Sequence, residues 1–481
     1  MEMVNLAGRV WRTGGTPQAL PVFTLSGFFH AGNDALSDPR LLYDTGSGRW
    51  LASIFDATRT AILVAASQGA DPTGGWSIQS IPADGCPDQP RLGVADTVVV
   101  VAADMFGACD ESAGYEGSAV WVLNKAELLA GTAPELQKFG PDRRYSTLTP
   151  VQSLGATATE YLVAVGNPRS TVVHLLAVSG MPPAKATLTR LASITVSPLS
   201  APPSARTPAT IETNDNRVLD AVWENGRLWL SGNDGCTPPG DRSRHTCARV
   251  IGLDTSSRTL VADSELSEAG ADLFYPAVRP DAAGNLVVVY GYSSTTVMPQ
   301  LLALARTADG GFTRPVVLAR ADAPQSGSRY GDYFGAARDP SDPSVVWVAG
   351  EAGARGAFSG WSTAVAAVSL AVGPPKMSLR DTVAPTVRAI ASAGRRGTPV
   401  RLEYRVGDNS GSSRALVTVS RRGRTVFSAA TLLVPVDAGR LAYVLWRPDA
   451  SLRPGTLRFC VRATDGAGNR SASSCSSLRL R

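Results

Sequence analysis

A short unit recurs six times along the first 370 residues, and this recurrence limits the fold more than any other feature. SDPRLLYDTGSGRWLASIFD reads as a strand, a Gly-rich turn and a second strand, and DQPRLGVADTVVVVAADMF repeats the plan. YPAVRPDAAGNLVVVYGYS and DYFGAARDPSDPSVVWVAGEA repeat it again, and TPVQSLGATATEYLVAVG and RVLDAVWENGRLWLSGN are weaker copies. In register, the anchors are Pro39, Pro90, Pro150, Leu219, Pro276 and Phe334, which are 51, 60, 69, 57 and 58 residues apart. A third and a fourth short apolar stretch follow most copies, as in AILVAAS then WSIQSI. A four-stranded sheet has two apolar faces and cannot bury both alone, whereas sheets stacked radially cover one another. The expected fold is therefore all-β, with a six-bladed β-propeller over residues 1–373.

The last copy has room for about three strands before Pro374, so PVFTLSGFF (Pro21–Phe29) is expected to supply an outer strand and close the ring. A helix of three turns is hard to place, and the best candidate is the short KAELLAG at Lys125–Gly131. Residues 374–380, opening on Pro374-Pro375, read as a linker. Residues 381–481 suit one small Ig-like β-sandwich, and in VRLEYRV the apolar positions alternate as they would with one face buried.

Composition narrows the class. Hydrophobic residues are 44% of the chain, enough to exclude wholesale disorder. The longest apolar stretch, around Val98–Ala103, is far shorter than a membrane helix needs, so no transmembrane segment is expected. From Asp381 onward there are 17 Arg, no Lys and 6 acids, a net of +11 that leaves −6 for the preceding 380 residues. A basic C-terminal unit suits an anionic cell-wall polymer. Its Arg are dispersed along strands rather than clustered with aromatics, so nucleic acid is not expected.

The six cysteines form three sequence-local pairs, Cys86/Cys109, Cys236/Cys247 and Cys460/Cys475. An even count in three neighbourhoods suits disulfides in an oxidising compartment, and no spacing matches a zinc knuckle. The opening MEMVNLAGRVWRTGG has no basic head, apolar stretch or cleavage site. Secretion or display at the cell surface is expected from the cysteines, with the export signal absent from this chain.

SDPRLLYD, DQPRLGV, FYPAVRPDAAGN and GDYFGAARDPSDPSVVWVAGE resemble segments of secreted bacterial β-propeller proteins of the sialidase-like or BNR-repeat type. The tail, with DNSG at Asp408–Gly411 and ATDGAGN at Ala463–Asn469, resembles the bacterial Ig-like or fibronectin-like modules appended to cell-surface proteins. The Arg-Ile-Pro segment of sialidases is missing, and Asp-box repeats are at best degraded, as in SQGADPTGGW. No catalytic set is carried over.

The candidate site residues begin the innermost strands: Asp38, Asp88 and Asp332, with Tyr275 and Tyr333 just before their anchors. In a ring, these positions would converge at one mouth of the channel and recognise a carbohydrate or a protein. Several carboxylates there could also hold calcium, although an Asp before Pro more commonly caps its own backbone. No other cofactor is expected. Asp281–Asn285 and Asp465–Asn469 are turns rather than calcium loops. His30, His174 and His245 make no triad; His245 is read as part of a solvated turn. The second functional reading is a glycoside hydrolase or lyase that uses the mouth carboxylates.

Overall fold

The structure is a computed structural model that describes all residues except 13–17, 111–113, 167–168, 208–209, 322–327, 354–360, 371–383, 409–411, 432–433, 436–439 and 466–468. The expected linker at 374–380 lies outside the described residues.

All six anchors fall in or beside the first strand of a separate antiparallel sheet. Sheet one comprises Leu36–Asp44, Arg49–Asp56, Ala61–Ser67 and Trp76–Pro82. Sheet two comprises Cys86–Val94, Val98–Phe106, Tyr115–Asn124 and Leu136–Asp142. Sheet three has the short Thr149–Pro150, then Glu160–Val165, Arg169–Ser179 and Thr187–Ser200. Sheet four comprises Val218–Glu224, Arg227–Cys236, His245–Asp254 and Thr259–Leu266. Sheet five comprises Ala271–Pro280, Leu286–Ser294, Val297–Arg306 and Val316–Arg320. Sheet six has three strands: Gly335–Arg338, Val345–Gly353 and Trp361–Ser369. Between sheets two and four, Gln152–Ser153 makes parallel bridges to Val94 and to Val222–Trp223.

The strand alternation decides the packing. In Val98–Phe106, Val99 and Val101 face Leu51, Ile62 and Val64 of sheet one, while Val98 and Val100 face Leu162 and Leu176 of sheet three. Because both faces are covered, this strand is a continuous apolar run. Val163 and Leu175 of sheet three meet Leu228 and Ile251 of sheet four. Val222 and Val250 meet Val288 and Leu302 of sheet five, and Val287 and Val289 meet Val346 and Val348 of sheet six. Each fully buried Val or Leu contributes about 1.5–3 kcal/mol. Contacts then return to the start: the Tyr333 hydroxyl donates to the Pro39 carbonyl at 2.8 Å.

The N-terminal segment does not add a strand to sheet six in the described structure. Phe23–Thr24 pairs with Ala7–Arg9 instead, and Leu25–Phe28 forms a single helical turn whose N-terminus is capped by the Thr24 hydroxyl. Leu25 and Phe29 pack on Ala52, Ile54 and Leu63 of sheet one. Apolar residues at Leu25, Phe28 and Phe29 suit a helical turn as well as a strand, and their burial on sheet one decides between the two. Sheet six therefore keeps a less covered face: along Val345–Val348, buried and half-buried residues alternate.

The helical turn at Lys125–Ala130 forms where the sequence places it, with the Asn124 side chain accepting from Ala126 and Glu127 N–H and Gly131 closing it at φ 79°. In the C-terminal unit, a sheet of Thr386–Ala389, Val400–Gly407 and Arg440–Trp446 packs on a second built around Ser412–Arg421, Gly455–Asp465 and Ser474–Leu480. Leu402, Tyr404 and Val444 share one core with Val417, Phe459, Val461 and Leu478. This unit touches sheet five, where Leu445 N–H donates to the Thr296 carbonyl at 2.9 Å and the Tyr443 hydroxyl donates to the Ala321 carbonyl.

All three expected disulfides are present, with sequence separations of 23, 11 and 15 residues. Cys460 and Cys475 face each other across adjacent strands, and Cys236 and Cys247 sit on neighbouring strands of sheet four. Cys109 differs from these four. It pairs with Cys86 as expected, but it lies outside any strand, in the exposed bend after Val98–Phe106, whereas Cys86 is buried at the start of its strand. That bond fastens a surface bend to the sheet rather than one strand to another.

Asp281 accepts from Ala283 and Asn285, and Asp465 accepts from Asn469, so both loops use their Asp within a turn. His245 departs from expectation. It is fully buried, with Nε2 2.7 Å from Asp241 and Nδ1 3.2 Å from Asp272, and the Arg206 guanidinium lies against the ring.

Candidate functional site

The first strands of sheets one to five surround one cavity of about 60 Å³, lined by Arg40, Leu42, Arg91, Pro150, Gln152, Asp220 and Arg279 among others. At the beginning of these strands the backbone is unusual. Asp38, Gln89 and Tyr275, each followed by Pro, have φ of 56°, 50° and 54°. Strand pairing slips at the same places, between Ser37 and Arg40, Asp88 and Arg91, and Phe274 and Ala277. Each slip is a bulge that bends the strand and re-aims the side chains beside it. Left-handed backbone at a residue as large as Tyr275 costs about 1–2 kcal/mol, which the surrounding packing must offset.

At two of these bulges lie Asp38 and Asp88, while Asp332 lies in the bend before the first strand of sheet six. Asp38 is half-buried, and burial, followed by the fields of Asp88 and Asp332, pushes its carboxyl up to about 6. Burial, then Asp104, also raises Asp88, against the pull of Arg217 and Arg91. Asp332 holds Asn214 Nδ2 at 2.7 Å and Arg329 Nη2 at 2.6 Å. Burial, followed by the Asp332 charge, pushes Glu351, on the second strand of sheet six, up to about 8. Asp38, Asp88 and Asp332 thus lie in one another's field.

Their register is not uniform. Gln89 occupies the left-handed position that Asp38 holds in sheet one, and Asp88 precedes it by one residue, opposite Asp104 in the ladder. The two tyrosines are engaged within the fold. Tyr275 is buried and donates to the Glu212 carbonyl at 2.8 Å, while the Tyr333 ring lies under the Arg40 guanidinium at 3.5 Å. Burial raises both phenols, so both remain protonated.

Sequence reading overlooked a basic network directly behind the acids. Arg91 is 2% exposed and reaches Asp104 at 3.2 Å. Arg217 contacts Asp104 at 3.4 Å, Gln89 at 2.6 Å and both oxygens of Asp215. Asp104 also accepts from Ser118 and Thr147. The missed signal was the Pro-Arg pair at two anchors, Pro39-Arg40 and Pro90-Arg91.

Among the described residues, the one set of three metal-ligand types with donor atoms within 4.8 Å of one another is Cys236, Cys247 and Glu265, and those cysteines are disulfide-bonded. A larger hollow of about 350 Å³ lies away from the acids, where Arg306 covers Trp229 at 5.1 Å and Glu224 is paired with Arg338 at 2.8 Å. The acid cluster, with two carboxyls raised by burial and crowding, is the stronger candidate.

No protein-family model matches the chain, and no curated protein matches it in sequence. Among solved structures it is similar to a protein of unknown function from Dyadobacter fermentans, at 12% identity over 69% of this chain and 94% of that one, with a TM-score of 0.39. It is also similar to a GH32 beta-fructofuranosidase from Bombyx mori, at 12% identity over 92% and 86% of the two chains, with a TM-score of 0.32. A third similarity, to the SrpA adhesin of Streptococcus sanguinis, has 19% identity and a TM-score of 0.16 and covers 21% of this chain and 60% of the adhesin chain. Likenesses this distant assign no chemistry. Among the described residues, no helix is long and apolar enough to cross a membrane.

Proposed function

We propose that the chain is an extracellular recognition protein. In this reading the six sheets are the blades of a β-propeller, and the mouth bearing Asp38, Asp88 and Asp332 binds a carbohydrate. The C-terminal unit is an Ig-like spacer or anchor whose Arg-bearing faces suit an anionic wall polymer. The observation that carries the reading is the mutual influence of three half-exposed carboxyls delivered by different sheets. Carboxylates only accept hydrogen bonds, and a polyhydroxylated ligand offers many donors at fixed spacings. Three disulfides support an oxidising location. The test is a glycan array probed with the wild-type chain and with Asp38→Asn and Asp88→Asn. Binding that falls at least tenfold in both variants is expected; signals equal to wild type in both would sink the reading.

A second reading, hydrolysis, rests on Asp38 at about 6 and Glu351 at about 8. At neutral pH the first is mostly ionised and the second mostly protonated, the division that a base or nucleophile and an acid require. A fluorogenic glycoside panel distinguishes the two readings: turnover that Glu351→Gln abolishes would favour the enzyme.

A further inference from the structure

Behind the acids, three arginines from three sheets border the same 60 Å³ cavity on the axis: Arg40 from sheet one, Arg91 from sheet two and Arg279 from sheet five. Their guanidinium groups are only partly used. Arg40 donates through one Nη to the Leu219 carbonyl at 3.3 Å. Arg91 uses Nη2 on Asp104 and Gln89. Arg279 spends Nε on the Ala336 carbonyl at 2.8 Å and Nη2 on Asp220 at 3.2 Å. Five buried nitrogens remain without an acceptor among the described residues: Arg40 Nε and Nη2, Arg91 Nε and Nη1, and Arg279 Nη1. Arg91 and Arg279 are 2% and 5% exposed, so bulk water does not serve them.

An unmade hydrogen bond from a buried charged donor is costly, and one such gap would be an oddity. Five gathered on three arginines around one cavity share a single remedy. Neighbouring polar side chains spend donors on backbone, the Thr149 hydroxyl on the Val218 carbonyl and Gln152 Nε2 on the Tyr43 carbonyl. Of the charged side chains that line the cavity, three are arginines and one is an acid, Asp220. A partner rich in acceptors and negatively charged would serve all five donors at once. The space holds a few waters' worth of volume, enough for a tetrahedral oxyanion and too little for a sugar ring.

We infer that this cavity is an anion site for a small tetrahedral oxyanion, phosphate or sulfate, held by Arg40, Arg91 and Arg279. Guanidinium forks suit such oxygens through paired N–H donors. The occupant would connect sheets one, two and five at the axis. It is separate from recognition at the mouth, because it relies on arginines rather than on Asp38, Asp88 or Asp332.

The experiment is thermal melting of the full chain after exhaustive dialysis into gluconate buffer. Phosphate, sulfate, acetate or additional gluconate is then titrated in at matched ionic strength. Phosphate or sulfate is expected to raise the melting temperature saturably by several degrees, with little change in acetate or gluconate. Arg40→Gln, which removes no ion-pair partner of a buried acid, should weaken the midpoint at least tenfold, and Asp38→Asn should leave it in place. Should Arg40→Gln not fold, Arg40→Lys, which keeps the charge and removes the fork, is read the same way. Equal shifts in all four salts, a response to acetate alone, no shift in any salt, or an unaltered midpoint in the Arg40 variant would overturn the site.

Discussion

The mouth and the axis of this molecule are built from the same strands and have opposite chemistry. Asp38 and Arg40 are two residues apart, and so nearly are Asp88 and Arg91, yet the acids stand half-exposed and crowded while the arginines are drawn inward. What separates them is the bulge between, which spends one residue in a left-handed turn and re-aims the side chains after it. A strand without it would alternate its faces evenly along the chain. A small change of local geometry, made in both sheet one and sheet two, thus segregates charge by depth.

The largest expected effect lies on the axis. Asp104 joins Arg91 and Arg217 and is itself buried. Asp104→Ala should cost about 3–5 kcal/mol in denaturant unfolding, because it strands buried cations. A loss under about 1 kcal/mol would erase the contrast with the mouth.

The acids should behave in the opposite way. Asp38 has a folded value near 6 against an ordinary 3.8, so the fold favours its protonated form. The stability it contributes is complete below pH 4 and is lost as pH rises through 6. Asp38→Asn should therefore stabilise the chain at pH 7–8, by at most about 3 kcal/mol, and change little at pH 3.5. Ligand binding should fall in the same variant, which would show a carboxylate kept at a cost. A variant destabilised at pH 8 would reverse the sign and break the comparison.

The smallest effect sharpens the boundary between last and first sheets. Tyr333→Phe removes the hydrogen bond to the Pro39 carbonyl and keeps the ring under Arg40, so a loss of about 1 kcal/mol is expected by thermal melting. No loss at all would mean that stacking alone joins sheet six to sheet one.

Much of the scaffold was legible because it is periodic. Six anchors mark six first strands, the alternating valines announce two covered faces, and Asn124 and Gly131 bracket the single turn of Lys125–Ala130. Partnership was harder to read than conformation. Pro21–Phe29 is apolar enough to look like strand, and nothing local says that Leu25 and Phe29 bury against sheet one rather than extending sheet six. His245 looked solvated inside a polar loop, but its burial depends on Asp241, Asp272 and Arg206, of which two are distant in sequence. The cysteine pairs were legible from proximity alone, whereas the exposure of Cys109 was not. Asp38, Asp88 and Asp332 are legible as a set because each stands at or near the opening of its repeat. The burial of Tyr275 is not legible locally, because its hydroxyl donates to the Glu212 carbonyl, 63 residues away in sequence. The arginines were visible as Pro-Arg pairs, but only the bulges show which way they turn.

Each disulfide closes within one sheet and its own turns or within the C-terminal unit, and none runs between neighbouring sheets. Oxidation can thus proceed hairpin by hairpin as soon as each pair of cysteines has emerged, with no thiol waiting for a distant mate. Covalent stiffening is confined to individual hairpins, and the joining of one sheet to the next is left to shape and charge. A reductant should accordingly loosen three hairpins while the packing between sheets persists.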